Sequence, residues 1–124
     1  MEWRGENSCV KVFGLLDGPC SLRRPWCAVY ALVDPRNGLR RYVGVTSDVV
    51  NRMHLHVQMA KDGTSARDIW IQGLLATGVI PAMEVLELVQ REYRLARETH
   101  WIRALHAGGH LTNVRKTGRS RNAV

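Results

Sequence analysis

The chain contains no apolar run approaching the roughly 20 residues needed to span a bilayer, and residues 1–7 lack the basic-then-apolar pattern of a signal peptide. Cys9, Cys20 and Cys27 are an odd set with no C-x-x-C spacing, so neither a disulfide framework nor a zinc knuckle is indicated. Internal repeats are absent, as are low-complexity blocks outside the last ten residues. These absences lead us to expect an intracellular protein, cytoplasmic or nucleoid-associated. Acidic residues are also scarce. Eleven Asp and Glu face eighteen Lys and Arg, giving a net charge of +7 and a pI near 10.0, a balance that suits a polyanion and makes nucleic acid the first candidate partner.

With 124 residues, 45% of them apolar, the chain suits one folded domain rather than two. Residues 1–25 read as an extension in which a short apolar stretch, 10–16, is followed by Asp17, Gly18 and Pro19 and then by the basic pair Arg23-Arg24. It would add a strand, cover a sheet edge or form a dimer contact, with Trp3 and Phe13 as apolar anchors; the sequence leaves these open. Residues 115–124 carry Arg115, Lys116, Arg119 and Arg121 without an acid and read as a basic tail. The domain proper is placed at 26–114.

Within it, two runs rich in β-branched and aromatic residues, 26–33 and 39–45, flank Asp34-Pro35-Arg36-Asn37-Gly38 and predict a hairpin. A five-residue loop pairs Val33 with Leu39 and Tyr30 with Tyr42, putting two tyrosines on one sheet face. Thr46 or Ser47 would cap a helix from Asp48, with Val49, Val50, Met53 and Val57 turned inward and Arg52 and His56 four apart on one face. A second helix is expected over 65–76, carrying Ile69, Trp70 and Leu74 and closed by Gly78 and Pro81, then a third strand over 82–89 interrupted by Glu84 and Glu87, and a long helix from about 91 to 107 ending at Gly108-Gly109. The fold class is α+β, a small three-stranded antiparallel sheet flanked by helices in the order β-β-α-α-β-α. On the last helix Leu95, Glu98, Ile102 and Leu105 form one stripe, so Glu98 interrupts an apolar face and needs a cation or a metal to offset its desolvation.

Tyr42-Val43-Gly44-Val45-Thr46, with Arg52 and His56 downstream and Ala28-Val29-Tyr30 upstream, resembles the GIY-YIG nuclease family; Glu98 with Trp101-Ile102 resembles its acidic motif and Leu111-Thr112-Asn113 its closing asparagine. The resemblance spans about residues 26–115. Ala28 and Val29 depart from the glycine and isoleucine of the first tripeptide, changes a strand tolerates. The resemblance implies a divalent-metal-dependent DNA endonuclease. Tyr30 would take the proton from the attacking water, its ionisation eased by His56, Arg52 and the metal, and His56 would relay that proton away. Tyr42 would position the water or phosphate, and Asn113 would orient the site through its amide. Glu98 would hold one Mg²⁺ or Mn²⁺ per site, and Arg52, with its paired donors, would clamp the scissile phosphate.

Arg23, Arg24, Arg91, Arg94, Arg115, Lys116, Arg119 and Arg121 are candidates for phosphate contacts that read no base sequence, from which low intrinsic sequence specificity is expected. One site cuts one strand, so a double-strand break would need a homodimer or two successive nicks. The competing expectation is a catalytically silent nucleic-acid-binding or scaffold protein retaining the fold. Against it stands Glu98, an acid that a groove meant only for phosphate does not need.

Overall fold

The structure is a computed structural model describing residues 26–113 in full and the backbone of 12–14. Its elements run β1 (Val12–Gly14), β2 (Trp26–Val33), β3 (Arg40–Thr46), α1 (Val49–Ala60), α2 (Ala66–Ala76), β4 (Ala82–Gln90), a 3₁₀ turn (Arg91–Tyr93) and α3 (Arg94–His106). Strands β3, β2 and β4 form the antiparallel sheet, with β2 in the middle, and the order after β1 is β-β-α-α-β-α as expected. The short β1 pairs in parallel with the outer edge of β4. Of the roles open to the N-terminal segment, the structure thus shows a strand that covers a sheet edge.

Because β2 is central, both of its faces are buried, and its alternating side chains serve two cores. Ala28, Tyr30 and Leu32 join Tyr42, Met83 and Val85 beneath Val49, Met53 and Ala60 of α1 and Ile71 of α2. Cys27 and Val29 join Val43 and Val89 against Ile102 of α3 and Leu111, with Trp101 and Leu105 packed alongside. The sheet is therefore sandwiched, two helices on one face and the third on the other.

The hairpin departs from the expected register. Val33 pairs with Arg40, the ladder slips between Leu32 and Val33, and Tyr30 lies opposite Gly44 while Tyr42 lies opposite Leu32. Asp34 causes the shift. Its backbone N–H donates to Leu39 O at 2.9 Å, and its carbonyl accepts from Asn37 and Gly38 N–H, with Gly38 at φ 76°, where glycine is favoured. Its buried carboxylate accepts from the Arg36 backbone N–H, the Arg36 guanidinium and Trp70 Nε1 at 2.8 to 3.2 Å. A longer loop wound around this carboxylate is what a count of loop residues misses. The displacement is by two residues, so the tyrosines keep a common face.

Three helix details also differ. Asp48 rather than Thr46 or Ser47 caps α1, its carboxylate accepting from Asn51 N–H at 3.1 Å, because the Thr46 hydroxyl already accepts from Asp48 N–H. Ile69 of α2 is exposed. On α3 the packed residues are Trp101, Ile102 and Leu105, whereas Leu95 is 62% exposed. Glu98 is thus half-buried at the end of the stripe rather than inside it. Glu87, an apparent interruption of β4, ties that strand to α3 by accepting from Trp101 Nε1 and Arg97 Nε, both at 2.9 Å.

The Arg36 hydrogen bonds lead the influences holding the Asp34 carboxyl down at about 2, against the opposing effect of burial. A lowered folded value stabilises the fold above the unfolded carboxyl range, and that contribution is lost as pH falls toward 2. Asp34→Asn is expected to cost about 1–2 kcal/mol at neutral pH and to flatten the loss of stability between about pH 4 and 2. Urea unfolding across that range measures both, and an unaltered acid limb would contradict the assignment.

Candidate active site

Tyr30 sits at the middle of the central strand and is 1% exposed. Its ring crosses the backbone of Gly44 on β3, where an added Cβ would meet the phenol oxygen and lie 2.6 Å from the carbon bearing it. Glycine is needed there for clearance, since its backbone is in ordinary extended conformation. Two residues earlier on the same strand Tyr42 faces the same core, its ring 6.4 Å from that of Tyr30. The inward face of α1 contributes His56, which lies edge-on to Tyr30 and Tyr42 at 5.9 and 5.3 Å between centroids. Its Nε2 lies 2.6 Å from the Tyr30 hydroxyl oxygen, a short buried hydrogen bond.

Burial is the largest influence on the Tyr30 phenol and pushes its ionisation up; a charge on Tyr42 pushes the same way, Arg52 and Arg67 pull down, and Glu98 pushes up. The balance lies well above the ordinary tyrosine value. Arg52 thus eases ionisation of the phenol as expected, but desolvation of the anion outweighs both arginines. A Tyr30 proton therefore leaves only if another group receives it, and His56 Nε2 is within reach.

Arg52 is exposed on α1, and Glu98 is half-buried on α3; each acts electrostatically on Tyr30. Asn113 stands apart. It is 2% exposed, its Oδ1 accepting from Val43 N–H at 2.7 Å and its Nδ2 donating to Val43 O at 2.9 Å. The amide thereby imitates a neighbouring strand along β3, and Thr112 extends the pairing by donating its N–H and hydroxyl to Arg41 O. Asn113 holds the residue between Tyr42 and Gly44, so its connection to the tyrosines runs through the strand. Arg91 and Arg94 lie at the turn into α3, while Arg23, Arg24, Arg115, Lys116, Arg119 and Arg121 lie outside the described residues.

One residue escaped the sequence analysis. Arg67, in the first turn of α2, places its guanidinium carbon 5.0 Å over the Tyr42 ring, hydrogen-bonds the Tyr42 side chain and pairs with Asp68 at 3.2 Å. Its charge is partly desolvated, yet Tyr42 and Asp68 outweigh that burial and raise its ionisation further, so it remains a cation. The available signal was its position one residue inside the Ser65-capped end of α2, on the turn carrying buried Asp68.

A tyrosine pair and a histidine from the next helix share one face of an antiparallel sheet, and a half-buried acid on the helix packed against the other face acts on them electrostatically. The model of the GIY-YIG catalytic domain matches residues 26–111. The chain belongs to the GIY-YIG family. That membership gives it a nuclease-type catalytic domain, with a sheet and helix order to match. No curated protein and no solved structure matches the chain. Among the described residues no helix is long and apolar enough to cross a membrane.

Two outcomes follow for this GIY-YIG site. Gly44→Ala forces the phenol ring or β3 to move and is expected to cost about 1–3 kcal/mol in urea unfolding; a neutral effect would refute the close packing. Because folding raises the Tyr30 value, its contribution to stability is present below the unfolded tyrosine value of about 10 and is lost as pH rises beyond it. Alkaline titration by absorbance, with Tyr30→Phe as the subtracted reference, should show no Tyr30 phenolate in the folded protein near pH 10, whereas an ordinary titration would show the phenol to be solvated.

Proposed function

We propose that this chain is a divalent-metal-dependent endonuclease hydrolysing DNA phosphodiester bonds, with Tyr30 and His56 moving the proton of the attacking water. The supporting observation is the 2.6 Å contact between Tyr30 Oη and His56 Nε2. In this reading Tyr30 donates its O–H to a neutral imidazole, and the phenol oxygen keeps a lone pair for water. As the water oxygen bonds to phosphorus, its proton passes to Tyr30 while the Tyr30 proton passes to His56. The phosphorus bond to the leaving 3′ oxygen then breaks, that oxygen keeping the bonding pair and taking a proton from solvent, and no free phenolate need accumulate at a buried position. The histidine thus does what nearby positive charge alone does not.

Arg52 would face the charge that grows on the non-bridging oxygens, its planar donors matching a phosphate. Arg67 would hold the Tyr42 hydroxyl so that Tyr42 orients water or phosphate. Asn113 would be a positioning residue, keeping β3 in register.

Glu98 supplies one carboxylate at the site, and among the described residues no group of three or more His, Cys, Asp or Glu is gathered to ligate an ion. A single hard oxygen donor fits one Mg²⁺ or Mn²⁺ that retains several waters, and does not fit a soft or fully caged metal. When bound, such an ion supplies Lewis-acid neutralisation of the phosphate and leaving oxygens.

The net charge of +7 supports DNA as a partner of low sequence specificity. The test is cleavage of end-labelled single-stranded, duplex and branched DNA in Mg²⁺, Mn²⁺ or EDTA. Tyr30→Phe and His56→Ala should each lose about 10²–10⁴-fold in rate, Glu98→Ala should remove the metal response, and Arg67→Met should slow cutting while leaving DNA affinity unchanged. Binding without cutting on every substrate would favour the scaffold reading.

A further inference from the structure

Beside the Tyr30 cluster the end of β3 and the turn into α3 enclose a recess of about 190 Å³. Arg52, Arg91 and Arg94 line it together with Cys27, Thr46 and Ser47, and among the described residues its walls include no acid. Tyr30, His56 and Glu98 are not part of those walls, so the recess is a neighbour of the reacting groups, joined to them through Arg52.

Three arginines lining one concavity bring like charges together, and an arrangement of this kind is stable when an anion occupies the space between them. The ion pairs observed among the described residues engage Arg36, Arg40, Arg67 and Arg97. Arg94 is instead held at the turn, its Nη1 donating to Arg91 O at 2.7 Å, which fixes the Arg94 guanidinium against the backbone of Arg91. Ser47, exposed at the mouth, adds a hydroxyl donor. Paired planar donors, a neutral hydroxyl and, among the described residues, no carboxylate describe a phosphate seat rather than a cation or apolar site.

We infer that this recess binds the internal backbone phosphate flanking the scissile one, so that Arg52 spans two consecutive phosphates and Arg91 and Arg94 set the register of the strand across Tyr30. The inference rests on the nuclease reading for the identity of the strand, but it concerns binding and is read without cleavage. The same chemistry would accept a terminal phosphate, and the experiment separates the two sources.

Binding of fluorescent single-stranded and duplex oligonucleotides is measured in EDTA across a salt series, for the parent chain and for Arg91→Ala combined with Arg94→Ala. The variant should reduce the slope of log Kd against log salt by about 1 to 2. Neutral methylphosphonates are then placed at single internal positions. One position should weaken parent binding about tenfold and have little effect in the variant, whereas adding or removing a 5′ phosphate should change neither protein. Arg91→Lys with Arg94→Lys, which keeps the charges, should retain the salt slope, and matched melting temperatures show that the fold is intact. An unchanged slope and methylphosphonate profile in the alanine variant, dependence on the 5′ phosphate alone, or no measurable binding to any oligonucleotide would each overturn the inference. DNA that binds as described but is never cut would instead count against the nuclease reading and leave the phosphate seat standing.

Discussion

The buried hydrogen bond between Tyr30 and His56 constrains more of this molecule than any other single contact. It requires a phenol in the middle of the central strand, a glycine opposite to make room for the ring, and a helix held so that one imidazole nitrogen meets the hydroxyl at 2.6 Å. Burial then keeps the phenol protonated, which turns an unlikely base into one half of a proton-passing pair. The nearby arginines lower the cost of charge at this position without reversing the balance.

Around that contact the frame is held by polar groups that bond backbone or bridge elements. Asn113 pairs with both backbone groups of Val43, stopping the edge strand from fraying beside Tyr42 and Gly44. Asp34 gathers the hairpin loop and joins it to Trp70 of α2, while Glu87 joins β4 to α3, the helix that carries Glu98. Each sits on a different side of the sheet or at a different edge, so together they fix the strands and helices that supply the reacting side chains. Such groups would be costly if left unpaired, and in a small core they also specify one arrangement over its near neighbours.

What could be read from the sequence was what depends on local period and composition. The strand runs, the inward face of α1, the glycine stops after α2 and α3, and the four-residue spacing of Arg52 and His56 are all set within a few residues. The register was not legible, because it depends on Asp34 collecting donors from Arg36 and from Trp70, 36 residues away. Arg67 was missed for the same kind of reason: its significance comes from lying over Tyr42, which is on another element. Leu95 looked like part of an apolar stripe, yet the packed residues of α3 are Trp101, Ile102 and Leu105 and Leu95 is left in solvent. The tyrosines kept a common face despite the slip because the displacement was even. The effect of burial on Tyr30 could not be weighed until both faces of β2 were seen to be covered.

The direct measurement is the tautomer of His56 at neutral pH, read from ¹⁵N-labelled histidine by NMR and assigned by comparison with His56→Gln. The account predicts a neutral ring with its proton on Nδ1 and a bare Nε2 accepting from Tyr30, a state that shifts toward the other tautomer in Tyr30→Phe. A His56 ring protonated at Nε2, and indifferent to loss of the Tyr30 hydroxyl, would contradict the proton transfer on which the proposed mechanism depends.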